Sequence, residues 1–297
     1  MNTKIETVRD LKANANKSDE RNNTIFIDEK LLESLNDSDP LGVRIVFEES
    51  ASYNRLYLED LKFCNSEIIF WGANSVGVIR QCSEKRYMNL QICGNNFCYI
   101  GKNSMLAGFT RAVRILCTPC CSVFIGDECL LADGVRIKTS DGHPIYDFNG
   151  NLVNTPGNII VGDRVWIGLE CVLLKNTVVG SGAIIGAKSM LSKRKYPSNR
   201  ICAGMPCRLI DENHKFLHFA DLIDDKTSEE IDIMKSEYAQ SHIFTGDSPR
   251  SDYVYSLFNS THNDVSKLSE MLLAVKHVDT DTKEKNRLYI DNYSHNS

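Results

Sequence analysis

Large aliphatic side chains return at every sixth position through the middle of this chain. From position 161 the sequence reads VGDRVW, IGLECV, LLKNTV, VGSGAI, IGAKSM and then Leu191. Val161, Ile167, Leu173, Val179, Ile185 and Leu191 carry the period. Four residues after each of the first five stands a compact side chain: Val165, Cys171, Thr177, Ala183 and Ser189. Glycine follows the aliphatic at 162, 168, 180 and 186. A helix would repeat at about 3.6 residues and a single strand at about two, so neither explains a step of six. A coil of three short strands does: the aliphatic fills the interior, the compact residue packs beside it, and glycine tolerates the turn. The pattern predicts an all-β solenoid, a parallel β-helix of hexapeptide repeats.

The register runs upstream through Ile125, Leu131 and Ile137, and back to Val113 and Pro119; Ile100 and Leu106 fit it with a one-residue slip. The solenoid is therefore expected over 100–210. Residues 43–99 alternate apolar and polar positions around the turns WGAN and CGNN, which predicts irregular early coils or a β cap. Residues 1–42 read as a polar segment with a short helix around DEKLLESL. After 210 the six-step stops. Thr227 and Glu230 form a capping box, and Val265, Leu268, Leu272 and Val275 share a helical face, so 211–297 is expected as an acidic helical region.

Composition narrows the class. With 42% hydrophobic and 25% charged residues the chain is an ordinary globular protein, and a net charge of -5 offers no basic face for nucleic acid. No apolar run reaches the roughly 18 residues of a membrane span, and the first residues lack the build of a signal peptide, so a cytoplasmic protein is expected. The 11 cysteines then read as free thiols. Cys117 and Cys120 form one CxxC without a second pair, so no metal is expected; Cys117, Cys129 and Cys171 sit at the compact position and read as core.

Between Ile137 and Val161 the count permits coils but the chemistry does not. His143, Asn149 and Thr155 stand where aliphatics belong, amid the turn-formers DGHP, NGN and TPGN. A loop over 138–158 is expected to leave the solenoid and to present His143, whose residue type titrates near working pH and suits a general base. Asp141 and Asp147 flank it, each able to orient the imidazole or to cap its own turn. Trp166 precedes an interior aliphatic and should point outward. Lys193, Arg194, Lys195 and Arg208 form a basic cluster where the solenoid ends, fit for phosphates or merely solvated.

The stretches TSDGHPIYD, IIVGDRVWIG and KRKYPSNRICAGMPCRLI resemble the hexapeptide-repeat acetyltransferases. The form around His143 is most similar to O-acetyltransferases of bacterial surface polysaccharides, such as the polysialic acid capsule. The resemblance covers roughly residues 65 to 210. It implies a left-handed β-helix, a homotrimer, and acetyl-CoA bound in grooves between chains, with a sugar or polysaccharide as acceptor. It also implies that His143 is the catalytic base, Asp147 its carboxylate partner and Trp166 an active-site indole. Gly168, Gly186 and Ala187 would let the pantetheine arm approach, with Lys193, Lys195 and Arg208 near the phosphates. AGMPCRLI departs from the family's closing pattern at Met205 and Cys207. An N-acetyltransferase of an amino sugar or a serine O-acetyltransferase would use the same scaffold, and a non-catalytic polysaccharide-binding solenoid would too. A metal-dependent hydratase would need several histidines in the coils, where His143 stands alone, with His214, His218, His242, His262, His277 and His295 in the tail.

Overall fold

The computed structural model describes residues 2–212 except 107 and 109. The expected capping box at Thr227, the stripe from Val265 to Val275 and the tail histidines lie outside the described residues.

Three sheets make up a triangular prism, two of eight strands and one of six that begins only at Met105. The first stacks Thr3–Ile5, Val43–Phe47, Ser66–Phe70, Met88–Ile92, Val113–Cys117, Arg136–Lys138, Val172–Leu174 and Met190–Leu191. The second runs from Thr24–Ile27 to Lys195–Tyr196, and the third from Met105–Leu106 to Cys207–Glu212. From Met105 onward each coil visits all three sheets in turn, the earlier coils carry strands of the first two only, and each pairs in parallel with the coil before it. The exceptions are the first and last strands, which fold back antiparallel on Val43–Phe47 and Arg200–Gly204.

The six-step residues are the inward side chains. Val161, Ile167, Leu173, Val179 and Leu191 are fully buried, as are the compact residues Val165, Cys171, Thr177, Ala183 and Ser189. Fully burying each large aliphatic contributes about 1.5–3 kcal/mol, which makes the interior column the main source of cohesion. Val161 pairs with Val179, Ile167 with Ile185 and Leu173 with Leu191, so three hexads close one coil.

The glycines do a different job from the one expected. The left-handed corner residues are Arg164, Glu170, Asn176, Gly182 and Lys188, again six apart, with φ between 51 and 74. Gly162 and Gly168 are absent from the left-handed set; they are small because the next coil touches them. A Cβ on Gly162 would lie 2.6 Å from Ser181 Oγ, and one on Gly168 would lie 2.7 Å from the Ala187 nitrogen.

Stacking also begins earlier than the six-count does. Leu56 pairs with Gly77 and Gly77 with Cys98, coils of three and a half hexads that a step of six cannot register. Ile100 pairs with Ile125, one position more than four hexads, which is the source of the one-residue slip. At the head of the prism the helix Val8–Asn14, closed by a Thr7/Asp10 capping box, buries Val8 and Leu11 against Ile5, Ile25 and Ile27. The helix Glu29–Ser34, capped by Asp28, occupies the DEKLLESL stretch.

All the cysteines are free. Burial pushes the Cys202 and Cys207 thiols up to about 12 and Cys121 to about 11, leaving little reactive thiolate. Alkylation of the native protein is expected to label exposed Cys64 first and to spare Cys117, Cys129, Cys171, Cys202 and Cys207 until unfolding. Peptide mass mapping reads the order, and early labelling of the interior thiols would contradict this packing.

Candidate active site

The chain leaves the first sheet at Lys138 and rejoins the second at Ile159. Val161 follows its partner Ile125 by six hexads, where the next coil takes three. The insertion thus equals one coil in length, and the six-count passes through it without a break. Its neck is fastened: Thr118 N donates to Thr139 Oγ1 at 2.8 Å and Gly157 N to Thr139 O at 2.9 Å. Beyond the neck, residues 141–153 stand in solvent as a short hairpin. Tyr146 and Leu152 bridge antiparallel, Val153 N donates to Ile145 O at 2.9 Å, and Asp147 N donates to Asn151 O at 2.9 Å.

Asp147 builds the tip. Its Oδ1 accepts from Asn149 N at 2.9 Å and Asn151 N at 2.8 Å, and its Oδ2 accepts from Asn151 Nδ2 at 2.9 Å. These bonds, the Asn151 side chain foremost, hold its carboxyl below the usual range. The expected pairing with His143 therefore gives way to turn capping, because the hairpin tip turns the Asn149 and Asn151 donors onto this carboxylate.

Asp141 takes the supporting place. Asn154 Nδ2 donates both to Asp141 Oδ2 at 3.0 Å and to the His143 carbonyl at 2.8 Å, while Asn154 Oδ1 accepts from Ile145 N at 2.7 Å. Beneath them Lys175, 4% exposed and one coil further on, donates Nζ to Asp141 Oδ2 at 2.5 Å and to Asn154 O at 3.0 Å. One buried ammonium thus ties the base of the hairpin to the solenoid. Sequence reading missed Lys175 and Asn154: in LLKNTV the lysine occupies an ordinary corner position, and only the fold brings it under the loop.

The Lys175 ammonium first, then the Asn154 amide, holds the Asp141 carboxyl below its ordinary value. A lowered carboxyl contributes its stabilisation above the unfolded value, and the tie is lost as pH falls through the folded value, on the acid side of the ordinary carboxylate range. Lys175→Met is expected to free the base of the hairpin from the solenoid, since both of its bonds to Asp141 and Asn154 go with the ammonium. Faster proteolysis within 141–153 should accompany it, with the cooperative melt of the solenoid retained. Unchanged proteolysis would show that the tie does not hold the hairpin.

Trp166 opens the strand Trp166–Ile167 of the third sheet and is 38% exposed. It lies in an outward row with Met105, Leu130, Ile184 and Ile201, each in register with the next. The hairpin leaves the corner between the first and second sheets, across the prism from that face. A single chain therefore keeps His143 and Trp166 on different sides.

The other expected residues divide the same way. Lys193 N donates to Lys175 O at 3.2 Å, and its charge is felt by Asp141, so Lys193 belongs to the hairpin corner. Lys195 is exposed in the second sheet. Arg208 is exposed beside Ala203 of the third sheet, whose Cβ would lie 2.8 Å from a Cβ on Gly186. Ala187 is exposed, whereas Gly168 is buried against the next coil, so its lack of a side chain serves coil packing. The basic cluster of the sequence is split into two groups by the winding of the chain. Among the described residues no three His, Cys, Asp or Glu side chains gather as metal ligands.

No family model matches the chain. Over 102 residues it is 36% identical to the galactoside O-acetyltransferase of Escherichia coli K12, a match spanning 33% of this chain and 48% of that protein. Over 94 residues it is 31% identical to the polysialic acid O-acetyltransferase of Escherichia coli O1:K1, spanning 31% and 30%. The chain thus spans about half or less of these curated relatives. Among solved structures, the polysialic acid-specific acetyltransferase NeuO superposes with a TM-score of 0.52 at 26% identity, covering 66% of this chain and 88% of that one. The architecture is the left-handed parallel β-helix of those acetyltransferases.

Proposed function

We propose that this chain, whose homologues are O-acetyltransferases of the hexapeptide-repeat family, moves an acetyl group from acetyl-CoA to a hydroxyl of a bacterial surface sugar, capsular or lipopolysaccharide. The observation that carries the reading is the fastened hairpin, which holds one exposed histidine off a rigid scaffold.

His143 takes the proton of the acceptor hydroxyl as its oxygen attacks the thioester carbonyl. The oxyanion that forms is met by the Trp166 N–H, which has donor capacity only. As the C–S bond breaks, the imidazolium returns the proton to the departing sulfur, giving an acetyl ester and a free thiol. Asp147 and Asp141 act through the hairpin: one shapes its tip, the other anchors its base. Exposed Ala187 and Arg208 on one face, with Lys193 and Lys195 at the other corner, suit the pantetheine arm and phosphates of acetyl-CoA.

Because one chain separates the imidazole from the indole, the reading requires a neighbouring copy, and a homotrimer supplies one across each groove. The hairpin supports this assembly. Ile145, Tyr146, Phe148 and Val153 are all at least 52% exposed, a concentration of apolar surface that marks an interface. Buried free thiols suit a reducing cytoplasm, and no helix among the described residues is long and apolar enough to cross a membrane.

The test is product mass after incubation with acetyl-CoA and either a galactoside or polysialic acid. The expected product gains an acetyl group that mild alkali removes, as an ester requires. An alkali-stable product would mean amide formation, and no product with any sugar would overturn the reading.

A further inference from the structure

A groove of 520 Å³ opens where the third sheet turns into the first, one corner away from Trp166. Tyr87, Thr110, Arg111, Arg114, Arg136 and Glu170 line it. Arg114 and Arg136 are register partners on adjacent parallel strands, so their outward side chains start about 4.8 Å apart. Both are exposed. Arg111 pairs with Glu170, and Lys188 approaches the same carboxylate at 3.8 Å. The nearest acid up the first sheet, Glu67, is engaged by Arg44 and Asn89. Among the described residues no carboxylate pairs with Arg114 or Arg136. The next side chains along their row are Asn89 on one side and Val172 on the other.

Two like charges directly opposite each other on neighbouring strands are destabilising. A chain with a net charge of -5 nevertheless concentrates three guanidinium groups here around one shared carboxylate. Gly134, with φ +71, keeps the floor open: a Cβ there would lie 3.3 Å from Glu170 Cγ and 3.6 Å from Arg111 Cδ. Paired guanidinium forks match the geometry of an oxyanion, and the half-buried Tyr87 ring offers a face for a sugar.

We infer that this groove holds a carboxylate of an acidic acceptor glycan, as a subsite away from the reacting hydroxyl. The inference rests on the acetyl-transfer reading for the word acceptor, but the binding it describes is measurable without turnover. A phosphate would satisfy the same arginines, so coenzyme A is the competing source of the anion.

Calorimetric titration of the full chain tests the inference with three probes: a sialic acid oligomer, a neutral galactose oligomer of equal length, and coenzyme A. The proteins are wild type, Arg114→Gln/Arg136→Gln and Arg114→Lys/Arg136→Lys. Wild type is expected to bind the sialic acid oligomer in a salt-sensitive manner. The glutamine pair should weaken that binding about tenfold or more, and the lysine pair should recover part of it. The other two probes should bind all three proteins alike. The melting temperature of the glutamine pair should hold or rise, since a repulsion has been removed. No binding of the acidic oligomer, or equal binding by wild type and the glutamine pair, would overturn the inference. Weakening confined to coenzyme A would assign the groove to a phosphate instead. A changed oligomeric state in sedimentation would assign the arginines to a neighbouring copy. An inactive wild type that still shows the expected binding pattern would sink acetyl transfer and leave the groove standing.

Discussion

His143→Ala is expected to slow release of free coenzyme A thiol by about two to four orders of magnitude, the usual worth of a positioned base. The loss should fall on kcat, because the role proposed for the imidazole lies at the proton of the acceptor hydroxyl and not in the binding of either substrate. Folding should be untouched. The side chain is exposed, and the hairpin bond at this position uses the His143 carbonyl, which alanine retains. Surface changes of this kind stay within about 0.5 kcal/mol, so the melting temperature acts as the internal control. Thiol release by dithionitrobenzoate with a sugar acceptor present reads the rate, with acceptor-free hydrolysis subtracted. A variant as fast as wild type would leave the hairpin without a catalytic part to play.

The interior of the fold was legible because burial imposes a period. Val161, Ile167 and Leu173 each had to be apolar, and in coils of eighteen residues a step of six serves the three strands. The early coils were legible only as irregular coils or a β cap, without a register: Leu56, Gly77 and Cys98 stack at three and a half hexads, and Gly77 contributes no apolar side chain to the column. The corners were misread. Arg164, Glu170 and Lys188 adopt the left-handed conformation without turn-forming chemistry, since the coils above and below them fix their backbone. Residues the eye assigns to turns, Gly162 and Gly168, are there for close approach.

The hairpin was legible for the opposite reason. An insertion one coil long leaves the count intact, and only the chemistry of His143, Asn149 and Thr155 betrays it. Which aspartate supports the histidine was beyond the sequence, because Asp141 and Asp147 are alike until Lys175 arrives from another coil. The same winding parted Lys193 from Arg208, neighbours in composition but set on different faces. Local pattern carries what burial repeats, and single tertiary contacts leave no trace in it.

The account depends on a site shared between copies: the imidazole of one chain working against the indole of the next. Mixed assemblies test it most directly. His143→Ala and Trp166→Ala chains, carrying different affinity tags, would be co-expressed and purified through both tags. Each variant alone should keep under about a tenth of wild-type activity, for loss of the base in one and of the oxyanion donor in the other. Every trimer that carries both tags sets an intact His143 opposite an intact Trp166 at one groove of its three, so mixed assemblies should recover about a third of wild-type turnover. Mixed assemblies no more active than the average of the two parents would place both residues in one chain's own site and contradict the account.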